Sequence, residues 1–219
     1  MSVQVKICGL NSLEAADAAA RARADFAGLV FFSKSPRNIT PGQARELAAR
    51  LRGGPRLVGL FVDPDDAMLR EAIAAAAPDF IQLHGKETPS RVHQIVATFG
   101  RPVIKALPVA DAADLAAARS YEDVAEYLMF DAKAPEAATR PGGHGAAFDW
   151  KILSAANFKR PWFLAGGLSP DNVARAIRVS GAALVDTSSG VEDAPGYKNN
   201  EKIAAFVSAA RNAAFSEAS

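Results

Sequence analysis

The sequence predicts an α/β protein folded as a single-domain (β/α)8 TIM barrel, and three observations carry that expectation. Short runs rich in β-branched and aromatic residues alternate from end to end with longer Ala-rich stretches bearing Arg and Glu. Eight such runs can be followed, with a helix-like stretch after most of them. The length of 219 residues suits a lean barrel, for which ~250 residues are typical and about 200 the lower limit. Strands separated by helices must pair in parallel, because the chain has to cross back before the next strand begins. An open doubly wound sheet would meet the same requirement; eight near-equal units favour closure.

In order, Val3 to Cys8 reads as the first strand and Leu13 to Ala24 as the helix behind it. Phe26 to Phe32 follows, then Pro41 to Leu51, where Thr40 places a capping hydroxyl before a proline at the first helical position. Leu57 to Val62 and Asp66 to Ala76 form the third unit, Phe80 to Leu83 and Ser90 to Phe99 the fourth, Pro102 to Ala106 and Asp111 to Arg119 the fifth. Tyr127 to Asp131 is the sixth strand, and the Pro- and Gly-containing stretch Ala134 to Ala147 reads as one long loop after it. Trp162 to Ala165 precedes a helix expected over Asp171 to Val179, with Ser169 and Pro170 repeating the hydroxyl-proline start. Ala183 to Asp186 and Glu201 to Ala214 complete the series. No composition break divides the chain, so one domain over residues 1–219 is expected.

Hydrophobic residues at 49% and charged residues at 22% are globular values, which argues against disorder. A net charge of +1 leaves no electrostatic footprint for nucleic acid or an anionic membrane surface. The apolar stretches Ala27 to Phe32 and Ala72 to Ala77 fall far short of the ~18 residues that span a bilayer. The N-terminus runs directly into the first strand without a signal-peptide pattern, and the single cysteine, Cys8, has no internal partner. A cytoplasmic protein is therefore expected, monomeric or homodimeric.

In a barrel of this kind the chemistry lies where the strands end. Gly166 and Gly167 follow the seventh strand, and Ser188, Ser189 and Gly190 the eighth. Loops at those two places often hold a phosphate, with close backbone approach at the glycines and donors from the serines. The plainer alternative for a glycine pair is a simple turn. Cys8 ends the first strand on the same face as Lys6, where a partly exposed thiol beside positive charge ionises below ~8.5 and can act as a general base. An inert buried thiol is the alternative. Asp131 closes an apolar run, a setting that raises a carboxyl pKa and suits a general acid; a cap or loop salt bridge is equally open, and Asp186 shares the ambiguity. Arg37, in a Pro-bounded loop, is placed to pair with a carboxylate or to sit solvated on the surface. His84 and His144 lie near candidate loops. No metal-site spacing and no nucleotide-binding loop occur, so neither metal nor cofactor is expected.

These residues resemble the phosphoribosylanthranilate isomerase family of tryptophan biosynthesis. The resemblance rests on Lys6-Ile-Cys-Gly, Phe31-Phe-Ser-Lys-Ser-Pro-Arg37, Val58-Gly-Leu-Phe-Val-Asp63, Gln82-Leu-His-Gly85, Gly142-Gly-His-Gly145 leading to Phe148-Asp-Trp150, Ala165-Gly-Gly-Leu168, and Asp186-Thr-Ser-Ser-Gly-Val-Glu192. It implies a cofactor-free Amadori rearrangement of N-(5-phosphoribosyl)anthranilate, a phosphorylated small molecule, to the 1-deoxyribulose 5-phosphate. It further implies Cys8 as base, Asp131 as acid, Arg37 on the anthranilate carboxylate, and His84 and Asp186 on the rest of the substrate. Gly166, Gly167, Ser188, Ser189 and Gly190 would hold the phosphate. One departure is His144, where the family's Gly-Gly-x-Gly loop usually carries a small polar residue. The alternatives are the aminoaldose isomerase of histidine biosynthesis, which normally has aspartate at the place of Cys8, and a catalytically silent phosphosugar-binding barrel.

Overall fold

A computed structural model describes residues 2–133, 148–154 and 156–213. Eight parallel strands close in chain order: β1 Gln4–Cys8, β2 Phe26–Phe31, β3 Arg56–Phe61, β4 Phe80–Leu83, β5 Val103–Val109, β6 Tyr127–Ala132, β7 Trp162–Leu164 and β8 Leu184–Thr187. Closure is made by β1 on β8, where Lys6 stands beside Asp186. The helices between them are α1 Leu13–Arg21, α2 Pro41–Arg50, α3 Asp66–Ala76, α4 Pro89–Phe99, α5 Asp114–Ala118, α6 Lys151–Ser154 and α7 Val173–Ser180. After β8 a short hairpin, β9 Glu192–Ala194 and β10 Tyr197–Lys198, leads into α8 Asn200–Ala213. Among the described residues no helix is long and apolar enough to cross a membrane.

The helix starts follow local chemistry. Thr40 accepts from the Gln43 amide while Gln43 reaches back to the Thr40 amide, a full capping box. Ser12, Asp65 and Thr88 cap α1, α3 and α4 through the side chain alone, each accepting from the amide three residues on, and α4 begins at Pro89, one residue earlier than expected. The expected start at Ser169 does not form. Its amide is taken by the Asn172 side chain at 2.9 Å, its carbonyl accepts from Asn172 and Val173, and α7 begins three residues after Pro170. The fifth helix is also shorter than expected. Asp114 accepts from the amides of Ala110 and Asp111, and Asp111 from Ala113, so these carboxylates compete with the helix for its first donors.

Alternation along the strands divides the interior. Outward positions such as Ile7, Leu29, Phe61, Ile81 and Val185 share one buried cluster with helix residues such as Leu47, Leu69, Val92 and Phe206. Inward positions at the N-terminal ends of the strands form a separate cluster that includes Phe26, Phe80, Met129 and Phe163. There Phe26 meets Phe80 and Phe163 edge-on, with ring centroids 5.8 and 5.2 Å apart, and the Arg56 guanidinium lies 3.9 Å from the Phe26 centroid. Each fully buried ring of this size stabilises the fold by roughly 1.5–3 kcal/mol, so this aromatic plug closes one end firmly. The inward positions at the other end carry polar residues on β1, β4, β6 and β8 and apolar Val30 and Leu60 on β2 and β3.

Candidate active site

At the mouth end of β1 the inward side chains are Lys6 and Cys8. Lys6 is fully buried and donates to Asp186 Oδ1 at 2.7 Å, the neighbour that the β1–β8 register brings alongside. Burial favours the neutral amine, yet Asp186 and Cys8 together hold the Lys6 pKa above its ordinary value, so it stays charged. Cys8 faces Gly28 across the β1–β2 pair, and any larger residue there would press on both groups: a Cβ at position 28 would stand 3.0 Å from the thiol and 3.2 Å from the Lys6 ammonium. Cys8 is only 4% exposed, and this corrects the expected direction of its ionisation. Burial pushes the thiol pKa up, and the opposing pull of Lys6 does not cancel it.

β4 and β6 bring a second group together. His84 follows β4, and its Nε2 lies 3.1 Å from Asp131 Oδ2 at the end of β6. Gln82, one inward step below His84, sets its amide nitrogen 3.4 Å from His84 Nδ1 and 3.3 Å from the Met129 sulfur. Its Oε1 is buried without a hydrogen-bond partner among the described residues. Asp131 ends its strand inside the mouth with the His84 imidazole as its neighbour.

The two phosphate-loop candidates lock into each other. Gly166 and Gly167 have φ values of 87° and 63°, a left-handed backbone that favours glycine, and a side chain at 166 would also collide with the Ala132 amide. A side chain at Gly190 would strike the Leu168 carbonyl, which already accepts from the Thr187 hydroxyl at 2.7 Å. Ser188 donates to the Cys8 carbonyl at 3.1 Å, tying this loop to the end of β1. Asn172 completes the turn by donating to the Gly167 carbonyl at 2.8 Å. The amides of Gly166 and Gly167 have no acceptor among the described residues.

Cys8, Arg37, His84, Asp131, Gly166, Gly167, Asp186, Ser188 and Ser189 line one cavity of about 680 Å³, measured with its open side. Gly190 does not line it; it lies behind, where its lack of a side chain lets the two loops approach. Val30, Phe32, Leu60 and Val62 supply an apolar wall. Arg37 is not the solvated surface arginine of the alternative reading: it is 4% exposed and held by Glu192. Sequence reasoning did not single out Gln82, Glu192, Lys198 or the apolar wall as site residues. Gln82 carried the one available signal, a polar residue at an inward position of a buried strand. His144 and the Gly142–Gly145 motif lie outside the described residues. Among the described residues no group of three His, Cys, Asp or Glu side chains is placed to hold a metal ion.

Residues 5–209 match the family described as N-(5'-phosphoribosyl)anthranilate (PRA) isomerase. The chain is 54% identical over 211 residues to N-(5'-phosphoribosyl)anthranilate isomerase of Paramagnetospirillum magneticum, covering 96% of this chain and 98% of that one. Among solved structures it is similar to the phosphoribosyl anthranilate isomerase of Thermotoga maritima, with a TM-score of 0.86 and 35% identity over 96% of this chain and 99% of that one. A further similar structure is a phosphoribosyl anthranilate isomerase in complex with reduced 1-(o-carboxyphenylamino)-1-deoxyribulose 5-phosphate, with a TM-score of 0.83, 33% identity, and the same coverage of both chains.

Proposed function

The chain belongs to the N-(5'-phosphoribosyl)anthranilate isomerase family, and on that premise we propose how its residues divide the work. It is an isomerase of tryptophan biosynthesis that converts N-(5-phosphoribosyl)anthranilate to 1-(2-carboxyphenylamino)-1-deoxyribulose 5-phosphate by an Amadori rearrangement. The observation that supports the assignment of roles is that Cys8 and Asp131, from opposite sides of the barrel, line one cavity with the two glycine- and serine-bearing loops.

In this reading Asp131 gives its proton to the furanose ring oxygen as the C1′–O bond breaks and the anthranilate nitrogen lone pair forms the Schiff base. Cys8 as thiolate then removes the C2′ proton, the C–H electrons form the C1′=C2′ double bond, and the C1′=N pair returns to nitrogen to leave an enolamine. Loss of the enol proton and protonation at C1′ give the ketone, so the reaction is a net isomerisation and needs no other reactant. The charged Lys6 beside Cys8 stabilises the thiolate, and the second oxygen of Asp186, without a partner among the described residues, orients the substrate's amino or hydroxyl groups. His84 steadies the Asp131 carboxyl and borders the substrate. The phosphate sits on the amides of Gly166 and Gly167 with Ser188 and Ser189, while Gly190 keeps the loops close. The aromatic ring packs on Val30, Phe32 and Leu60, with its carboxylate on Arg37. A cytoplasmic, single-domain protein is consistent with this activity.

Mixing the purified protein with phosphoribosylanthranilate and following anthranilate fluorescence tests the activity. Loss of the signal at a rate proportional to enzyme is expected, and a rate no faster than the spontaneous decay would overturn it.

A further inference from the structure

Glu192 is the buried first residue of the hairpin that follows β8, and both of its carboxylate oxygens are in use. Oε1 accepts from Arg37 Nε at 2.7 Å and from Lys198 Nζ at 2.7 Å. Oε2 accepts from Arg37 Nη2 at 2.7 Å and from the Gly196 amide at 3.2 Å. Lys198 in turn donates to the Ser188 carbonyl at 2.9 Å and lies 3.3 Å from its hydroxyl, so its three protons are occupied. It braces the hairpin against the loop after β8 rather than facing the cavity, which it does not line.

The consequence falls on Arg37. A guanidinium has five donors in a rigid plane. Glu192 takes the Nε and one Nη2 proton along one edge, which fixes the plane, and Nη1 has no partner among the described residues. An arginine on a flexible stem would lose rotamer freedom each time it gripped a ligand, whereas one already held loses little. From this geometry we infer that Glu192 is the positioning residue that presents Arg37 to the substrate's ring carboxylate. The inference rests on the reading of Arg37 as the carboxylate-binding residue and deepens it. Glu192 touches no substrate; it acts through the guanidinium. Its interaction is also selective. It serves only ligands with a carboxylate for Arg37 to meet, and the phosphate end is held by other loops.

That selectivity supplies the test. Dissociation constants are measured for two ligands, the reduced product analogue 1-(o-carboxyphenylamino)-1-deoxyribulose 5-phosphate and its counterpart without the ring carboxylate. The ratio between them is taken within each preparation, so an inactive fraction cancels. In Arg37→Ala the preference for the carboxylate ligand should collapse, and in Glu192→Gln it should fall by roughly 10- to 100-fold, the range a charge-assisted hydrogen bond corresponds to. Binding of the ligand without the carboxylate should be little changed in both. In the double variant the carboxylate preference should be no lower than in Arg37→Ala alone, since the other link of Glu192, through Lys198 to Ser188, acts on the phosphate end that both ligands share. Glu192→Asp keeps the charge but withdraws it by one methylene. It should show an intermediate loss, and it serves if the glutamine variant does not fold. A full preference in the Glu192 variants beside a collapsed one in Arg37→Ala overturns the inference alone. A full preference in Arg37→Ala overturns the carboxylate reading and the inference with it.

Discussion

Along β4 the inward positions and the residue after them run Phe80, Gln82, His84; along β6 they run Tyr127, Met129, Asp131; and along β8 Leu184, Asp186, then Ser188. Each strand passes from the aromatic plug to the polar mouth in one or two inward steps. The plug is held by area and shape, with rings meeting edge to face. The mouth is held by pairing: Lys6 on Asp186, His84 on Asp131, Arg37 and Lys198 on Glu192. Apolar packing tolerates a replacement of similar volume, whereas a buried charge tolerates no loss of its partner. The two ends should therefore fail differently when single residues are changed.

The largest effect is expected from the acid–base pair. Cys8→Ser replaces a thiolate by a far weaker base, and Asp131→Asn keeps the shape but has no proton to give. Each should lower kcat by about 10²- to 10⁴-fold, the usual scale of a general acid or base, with the folded state and ligand binding retained. Protection of both variants by the reduced product analogue in a thermal unfolding scan checks the second half, since a ligand of the folded state alone raises Tm. Near-normal turnover in Cys8→Ser would leave the thiol an inert buried residue. The pH profile sharpens the point. Because burial pushes the Cys8 thiol up, the base is mostly protonated near neutrality. Alkylation of Cys8 by iodoacetamide, whose rate follows the thiolate alone, should keep accelerating with pH past the ordinary thiol value of about 8.5. A rate already flat at pH 7 would mean a thiol that is ionised at neutrality and not pushed up by burial.

At the other end the loss should be of stability. Phe26 is fully buried and touches Phe80, Tyr127 and Phe163 beneath the Arg56 guanidinium. Phe26→Ala removes the centre of that cluster and should cost about 3–5 kcal/mol in denaturant unfolding. The kcat of the protein that remains folded should be close to wild type. A fall in kcat comparable to that of Cys8→Ser would show that the plug and the mouth are one mechanical unit.

The strands and their ends were legible in the sequence because alternation and helix caps are local; the meeting of their rings in the plug was not. Thr40 and Pro41 fixed a helix start within two residues, and the glycines after β7 and β8 marked backbone that comes close to its neighbours. Ser169 and Pro170 carried the same local signal, yet α7 begins only at Val173, with the Asn172 side chain bridging the Ser169 amide and the Gly167 carbonyl in the turn before it. The pairings of the mouth were not legible. Arg37 and Glu192 are 155 positions apart and His84 and Asp131 lie on different strands, so only closure of the barrel brings them together. The resemblance placed Cys8, Asp131 and Arg37 at the site, but the direction of the Cys8 shift depends on a burial that spacing does not report.

The smallest expected effect joins the two ends of the comparison, because it reads pairing at the mouth as stability. Burial alone would raise the Glu192 pKa, but the Arg37 hydrogen bonds and the Lys198 charge outweigh it and hold the carboxyl below its ordinary value. The folded protein then binds this proton less tightly than the unfolded chain does. Near pH 4 the unfolded state holds more protons, and stability rises with pH there. The contribution is complete above the ordinary carboxylate value of about 4.3 and is lost as pH falls through the lower, folded value. In Glu192→Gln this titration is absent. Urea unfolding at pH 7, 5 and 3.5 should show the variant less stable than wild type at pH 7 and 5, with the gap narrowing at pH 3.5. A gap of constant size across that range would mean that Glu192 supports the hairpin by shape and not by charge.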